Sequence, residues 1–315
     1  MKLSLMTCGK AVGSRVIDNH HFASYLDTSD QWIRERSGIL TRHWVEDEST
    51  LDLARSAAEA CLGRLPGLDR SRIRVLICAS VTTDEAVPAL SARLQEDLGL
   101  DANLFAFDLN AACSGYVYSL QVARSLLGSY PQGSLALLVG AEVLSRHTDM
   151  EDRTNCFLFG DGAGASLWTL EQGAEDVFAA KTVGNRDMLT LGHVEPIRMD
   201  GRAVFRFAVG EMSEVIRQVL AEGRVRPEEV DLFLLHQANQ RIIDAIARSL
   251  ELDNDRFPTN LDRYGNTSSA SIGILMDELY DQGLLDGTKT LCLAGFGGGM
   301  SCGALLLKGH QIHVA

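Results

Sequence analysis

The sequence predicts an α/β protein with mixed sheets, helices on the sheet faces and two repeated halves. Three observations carry this reading. Continuous apolar runs at Ile73–Ser80, Gly133–Gly140 and Val230–His236 have the length and composition of strands buried on both faces. Stretches with helical spacing alternate with them. The order strand, helix, strand with a small-residue turn into a helix, strand, glycine turn, final strand occurs twice and restarts near residue 171, giving halves 1–170 and 171–315. Residue identity between the halves is poor, so the duplication is one of topology. Aligned by that order, Cys113 and Asn266 each open a helix after a turn, and His236 closes a buried strand. Ligands in such folds gather at the carboxyl ends of strands, which would bring these three residues together.

Taken in order, residues 1–50 read as irregular and charged. Within them, Asp27–Gly38 has the form of a short helix capped by Ser29 or Asp30 and stopped by Gly38. Trp32 and two arginines lie close together there. They suit either a solvated helix with one buried Trp or a nucleotide site, in which a base stacks on Trp and Arg meets phosphate. Residues 50–64 form an amphipathic helix (Leu51, Ala54, Ala58, Cys61, Leu62), broken by Pro66-Gly67. Pro88–Leu98 is helical. An apolar strand ending at Leu109 leads through a small-residue turn into a helix with Tyr116, Leu120, Ala123 and Leu127 on one stripe. Ser145–Asn155 is a polar loop. The glycines of Phe157–Trp168 fit tight backbone packing better than a phosphate cradle, because they do not follow a strand and open a helix.

In the second half, Phe178–Thr190 reads as strand and turns, 191–203 as a loop, and Val204–Gly223 as helical. Gln237–Leu250 is a helix with Ala238, Ile242, Ala245, Ile246 and Leu250 on one stripe. A second helix runs from the Tyr264–Gly273 segment to Tyr280. Thr290–Gly295 is a strand, Phe296–Gly303 a glycine turn, and Ala304–Lys308 the last strand.

Composition narrows the function. At 315 residues, 46% apolar and 23% charged, the chain has the makeup of a soluble enzyme. A net charge of −13 argues against nonspecific nucleic-acid binding, and no run of 18 apolar residues is present to span a membrane. The start carries a basic residue but too short an apolar stretch for a signal peptide. Seven cysteines, an odd number with no C-x-x-C pair, read as reduced thiols of a cytoplasmic protein. No spacing of Cys and His supports a metal site.

Cys113 sits where strand becomes helix, against unpaired N–H groups and the positive end of the helix dipole. That place suits a nucleophilic thiolate, although a lone cysteine is more often a small buried side chain. A histidine at a strand end can serve as base, acid or donor, and Asn266 can donate an amide N–H without charge. Two neutral donors aimed at one oxygen would stabilise an enolate. Gly297-Gly298-Gly299 lets a backbone N–H approach a reacting carbonyl. Cys, His and Asn in this linear order also describe a papain-like protease; the buried strand before His236 and the repeated α/β pattern argue against it.

Three segments carry a resemblance: Asp108-Leu-Asn-Ala-Ala-Cys113-Ser-Gly, Leu235-His236-Gln-Ala-Asn239-Gln-Arg241-Ile-Ile, and Tyr264-Gly-Asn266-Thr-Ser-Ser-Ala-Ser. They resemble the active-site motifs of β-ketoacyl-acyl-carrier-protein synthase III. Thr28-Ser-Asp-Gln-Trp32, Phe159-Gly-Asp-Gly-Ala-Gly and Ala294-Gly-Phe-Gly-Gly-Gly299 extend the likeness from about residue 25 to 307. The resemblance implies the thiolase-like fold, two duplicated halves in five αβαβα layers, and a cytoplasmic homodimer. It implies decarboxylative condensation of an acyl-CoA with malonyl-acyl carrier protein, with no cofactor, initiating fatty acid synthesis. Cys113 would accept the acyl group, and His236 and Asn266 would hold the malonyl thioester carbonyl. The N–H groups of Cys113 and Gly298 would form a second oxyanion hole. Trp32 and Arg153 would sandwich the adenine of coenzyme A, Arg36 and Asn239 would line its channel, and Phe205 would lie near the pantetheine. Arg206 and Arg241 match positions that would meet the acidic carrier protein.

Some residues depart from the family pattern. Ser37 stands where Thr is usual, and Tyr264 where His or Phe is common. Val87 occupies a position that shapes the partner subunit's acyl pocket, where Phe or Thr is frequent; a smaller side chain there would admit longer or branched chains. The 184–200 segment near that pocket is shorter than in many members. The alternatives are a relative in a specialised polyketide-type pathway and a non-catalytic partner subunit, the latter opposed by the intact Cys113, His236 and Asn266. A biosynthetic thiolase would use a second cysteine, such as Cys302, but the Asn266 motif lacks the histidine that chemistry needs.

Overall fold

A computed structural model of the chain describes residues 1–192, 194–285 and 287–309. The first half holds β1 (Lys2–Val12), β2 (Arg15–Asp18), α1 (Asn19–Ala23), α2 (Asp30–Ser37), β3 (Thr41–Trp44), α3 (Thr50–Gly63), β4 (Ile73–Ala79), α4 (Leu90–Asp97), β5 (Phe105–Leu109), α5 (Gly115–Leu127), β6 (Leu135–Val143) and β7 (Asp161–Glu171). The second holds β8 (Val177–Thr182), β9 (Leu189–Thr190), β10 (Arg198–Met199), α6 (Gly201–Phe207), α7 (Ser213–Gly223), β11 (Leu232–Leu235), α8 (Gln240–Ser249), α9 (Leu261–Tyr264), α10 (Ser271–Asp281), β12 (Leu291–Gly297) and β13 (Ser301–Leu307).

Two sheets have matching orders, β1-β7-β6-β4-β5 and β8-β13-β12-β11. β4 pairs parallel with β6 and β11 with β12, the strands beyond β6 and β12 run antiparallel, and the first sheet adds β5 parallel to β4. α5 and α10 lie between the sheets, α3 and α4 cover the outer face of the first, and α7 packs on the outer face of the second, with α8 beside it. This is the five-layer αβαβα arrangement. The central layer is an apolar core in which Val117, Leu120 and Ala123 of α5 and Ile272, Leu275 and Leu279 of α10 meet Leu138, Leu293 and Leu305 of the two sheets. Each fully buried Leu or Ile contributes about 1.5–3 kcal/mol.

The clearest departure from expectation is at the start. Residues 1–50 contain an 11-residue strand, β1, paired along its length with β7. Lys2 and Lys10 and the Ser, Thr and Gly residues between them broke up the apolar signal. Lys10 is accommodated by Asp277 and Glu278 of α10 at 3.3 and 3.2 Å. The Val204–Gly223 helix contains a π-helical turn, Ala208–Met212, between α6 and α7. The glycine turn is shorter than expected, because β12 runs to Gly297 and β13 begins at Ser301. The α8 stripe is rotated: Ile243 and Ala247 are buried, and Ala245 is not. Residue 193, inside the 191–203 and 184–200 segments, lies outside the described residues.

Other expectations hold. Ser49 caps α3 in a reciprocal box with Asp52, and Leu51, Ala54, Ala58, Cys61 and Leu62 are buried. Ser29 caps α2 through the Trp32 N–H at 3.1 Å, and Gly38 ends it at φ +83. The glycines of the Phe157–Trp168 segment serve backbone packing: a β-carbon on Gly164 would stand 2.4 Å from the carbonyl carbon of Gly273, so β7 and α10 meet backbone to backbone.

Candidate active site

The two sheets point the turn before α5, the end of β11, the turn before α10 and the β12–β13 turn into one cavity of about 1490 Å³. Cys113 lies in the first turn and is part-exposed to the cavity. The residue before it, Ala112, has φ +47, a left-handed conformation that costs a non-glycine residue about 1–2 kcal/mol. Asn110 supports it, its Oδ1 accepting the Ala112 N–H at 3.3 Å. Asp108 serves structure, its carboxylate accepting the Leu90 and Ser91 N–H groups at the start of α4.

The second half repeats this turn. Ser268 also has φ +47, and its N–H donates to Asn266 Oδ1 at 2.9 Å. Asn266 is therefore the counterpart of Asn110, and Cys113 is the counterpart of Ser269. This corrects the alignment of Cys113 with Asn266, which matched the helix starts without the turn geometry. The Ser268 N–H occupies the oxygen of the Asn266 amide, so Nδ2 is the donor left for the cavity. Backbone bonds from Asn266 N–H to the Leu158 carbonyl (2.8 Å) and from Gly160 N–H to the Asn266 carbonyl (3.0 Å) hold the residue in place.

His236 follows β11, its N–H bonded to the Ala294 carbonyl at 2.9 Å. Its Nδ1 lies 2.7 Å from Ser271 Oγ, which also receives the Gln237 N–H at 3.3 Å. With the Ser271 hydroxyl donating to Nδ1, the imidazole proton sits on Nε2. Nε2 is buried without a protein partner, and His236 lines the cavity. Burial lowers the imidazole from its ordinary 6.5 to about 3, so the ring is neutral at physiological pH. His236 and Asn266 thus present two neutral donors beside Cys113.

The Cys113 thiol departs from the helix-start expectation. Enclosure pushes it up to about 12, a negative charge on Glu142 would push the same way, and hydrogen bonding to Ser268 and its own backbone lowers it only in part. Desolvation of the thiolate outweighs the helix dipole here, and the resting group is a thiol.

Gly297 brings the glycine turn against Cys113: a β-carbon there would lie 2.6 Å from the Cys113 nitrogen and 2.9 Å from the Ala112 β-carbon. Gly298 follows at the cavity wall, and Ser114 Oγ bonds Ser301 Oγ at 2.8 Å across the same junction.

At the mouth, the guanidinium carbons of Arg36 and Arg153 lie 5.5 and 5.7 Å from the half-buried Trp32 ring. Arg153 also bonds the exposed Asp27 at 3.3 Å. Arg241 lies 5.9 Å from the Phe205 ring. Asn239 caps α8 through the Arg241 N–H at 2.9 Å and donates to the Arg36 carbonyl at 3.0 Å, which ties α8 to α2. Arg206 lines the cavity with them. Sequence reasoning missed Arg186 and Arg202, which bring the cavity's arginines to six against one carboxylate, Asp200. It also missed the roles of Ser268 and Ser271; the repeated Asn-x-(φ +47) turn was the available signal for the first. Val87 stands outside this cavity at 84% exposure.

Comparison with known proteins places the chain in a family. The family described as 3-oxoacyl-[acyl-carrier-protein (ACP)] synthase III matches residues 107–184, and its C-terminal counterpart matches residues 220–309. The β-ketoacyl-[acyl-carrier-protein] synthase III of Streptococcus agalactiae serotype III (strain NEM316) is 41% identical over 315 residues, covering 94% of this chain and 95% of the relative. The crystal structure of 3-oxoacyl-[acyl-carrier-protein] synthase III from Aquifex aeolicus VF5 superposes with a TM-score of 0.91 at 36% identity, covering 97% of this chain and 99% of that one. The corresponding FabH structure from Pseudomonas aeruginosa PAO1 gives 0.91 at 35% identity over 100% of both chains.

Proposed function

The chain belongs to the β-ketoacyl-[acyl-carrier-protein] synthase III family of condensing acyltransferases, and we propose that it initiates fatty acid synthesis by joining an acyl-CoA to malonyl-acyl carrier protein through a thioester on Cys113. The observation that carries the reading is the placement of His236 and Asn266 in one cavity with Cys113. Each side chain has its other polar atom engaged, and both residues line the cavity that holds Cys113.

The cycle is ping-pong. Cys113 sulfur adds to the thioester carbonyl of acyl-CoA. The N–H groups of Cys113 and Gly298 receive the oxyanion, which Gly297 allows by admitting the glycine turn so close. Collapse expels the coenzyme A thiolate, which leaves with the proton released by the Cys113 thiol. Malonyl-carrier then enters and its carboxylate departs as CO2. The enolate oxygen takes hydrogen bonds from His236 Nε2 and Asn266 Nδ2. The enolate carbon attacks the Cys113 thioester, the tetrahedral adduct collapses to the β-ketoacyl carrier, and the Cys113 thiolate takes a proton from water. The two thioester substrates suffice, with no cofactor.

Trp32 and Arg153 suit an adenine. A flat ring between them needs about 7 Å, so the exposed Arg153 would swing outward from its present 5.7 Å. Arg36 and Asn239 border the channel and Phe205 the pantetheine path. Arg206 and Arg241 offer a local basic patch on a chain of net charge −13, enough to dock an acidic carrier. A homodimer fits the open edge of the first sheet, where β5 is terminal and Phe105 is 50% exposed. Among the described residues no helix is long and apolar enough to cross a membrane, and we place the enzyme in the cytoplasm.

The test is the mass of the carrier protein after incubation with enzyme, malonyl-carrier and a panel of acyl-CoAs. A β-ketoacyl carrier is expected with at least one primer. Failure with every primer would overturn the condensing assignment.

A further inference from the structure

Glu142, near the end of β6, is fully buried. Its Oε2 accepts from Val81 N–H (3.1 Å), Thr82 Oγ1 (2.8 Å) and Ser80 Oγ (3.4 Å). Its Oε1 lies 2.7 Å from Ser269 Oγ. The first three groups come from the segment just after β4, and the last comes from the Asn266 turn of the other half. We propose that Glu142 is a positioning residue held as an un-ionised carboxylic acid, which pins the Asn266 turn behind Cys113 without placing a negative charge there.

The argument is a count of hydrogens. Ser269 Oγ lies 2.8 Å from the Ala79 carbonyl as well as 2.7 Å from Glu142 Oε1. A serine hydroxyl has one hydrogen. Against a carboxylate, one of those two contacts would join two acceptors with no hydrogen between them. With a proton on Oε1, Glu142 donates to Ser269, and Ser269 donates to Ala79. Oε2 remains the acceptor of the other three. Thr82 Oγ1 and Ser80 Oγ each accept one N–H as well, from Val143 (2.9 Å) and Thr82 (3.1 Å), and their hydroxyl hydrogens are free to point to Oε2.

The surroundings agree. Among the described residues no Lys, Arg or His hydrogen-bonds to Glu142, and an unpaired buried carboxylate is costly. Burial raises the carboxyl above its ordinary value. The titratable group facing it is Cys113, and the Ser268 side chain is the hydrogen-bonding neighbour of both. The segment just after β4 and the Asn266 turn present hydroxyls and an amide. On β7, opposite Val143, Asp161 turns its carboxylate away to Val45 and Ser145. His236, which lines the same cavity as Cys113, is neutral.

The consequence concerns the reaction proposed above and rests on that reading of Asn266. Ser269 lies three residues after Asn266 in the turn whose Ser268 N–H orients the Asn266 amide. Condensation places an enolate, then a thiolate, in this cavity, and a neutral acid holds the turn without opposing either anion.

The test uses the full chain and its Glu142→Gln and Glu142→Ala variants. Gln reproduces the neutral acid, with one acceptor and one donor. A folded-state value above the unfolded one means that wild-type stability falls as pH rises above the ordinary carboxyl range, as long as Glu142 ionises only in the unfolded chain. The Tm of Glu142→Gln relative to wild type is therefore expected to rise with pH there. A relative Tm that falls or stays level would overturn the proposal, and this readout needs no activity. In step-resolved kinetics, Glu142→Gln is expected to stay within about threefold of wild type in decarboxylation, while Glu142→Ala loses about tenfold or more. If Glu142→Ala does not fold, Glu142→Gln still decides: loss of tenfold or more in that folded variant would show that the carboxylate charge is required.

Discussion

A β-carbon on Gly297 would stand 2.6 Å from the backbone nitrogen of Cys113. The neighbour is main chain, so no side-chain rotation relieves the clash. Gly297→Ala is expected to push the β12–β13 turn off the nucleophile and separate the Gly298 N–H from that of Cys113. Acylation by acyl-CoA should fall by about 10²-fold. Stopped-flow release of coenzyme A measures it; a rate within a few-fold of wild type would contradict the two-N–H oxyanion assignment.

Asn266→Ala removes a donor that serves the malonyl carbonyl and leaves the Cys113 turn intact. Decarboxylation of malonyl-carrier should slow by about 10²–10³-fold while Cys113 acylation stays near wild type. Separate measurement of CO2 release and of the acyl-enzyme distinguishes the steps. Equal loss in both would contradict the division of roles.

His236 also gives a pH prediction. Its folded-state value, about 3, lies below the ordinary 6.5, so the unfolded chain takes up the proton first as pH falls. The contribution is complete above about 6.5 and is lost on acidification at about 1.4 kcal/mol per pH unit, or about 2 kcal/mol by pH 5. Thermal melts of wild type and His236→Gln should therefore show the stability difference shifting against wild type between pH 7 and 5. A difference constant over that range would mean that His236 titrates near its ordinary value.

The arginines at the mouth divide by substrate. Trp32→Ala should raise KM for acyl-CoA about tenfold with KM for malonyl-carrier unchanged. Arg206→Ala with Arg241→Ala should do the reverse and flatten the salt dependence of carrier binding. Steady-state kinetics with each substrate varied in turn reads both, and a shared effect on the two KM values would contradict the separation.

Much of the site was legible because its chemistry sits in short local motifs. Cys113, His236 and Asn266 each follow a strand or turn visible in the chain, and Trp32 lies on a helix whose cap and stop are explicit. Other features depend on distance. Ser271 meets the His236 ring from 35 positions away, and Glu142 meets Ser269 across 127. Local periodicity carries no signal for such pairs. The strand β1 was hidden for a different reason: Lys10 is tolerated in the interior because α10 supplies Asp277 and Glu278. The thiol of Cys113 shows the limit of reasoning from one helix start, since enclosure by the whole site outweighs the dipole.

The most direct test of the central claim is intact-protein mass analysis after incubation with an acyl-CoA, repeated after addition of malonyl-carrier. The expected result is one acyl adduct, mapped by peptide analysis to Cys113, that disappears with malonyl-carrier as the β-ketoacyl carrier forms. An adduct on another residue, or one on Cys113 that malonyl-carrier fails to discharge, would contradict it.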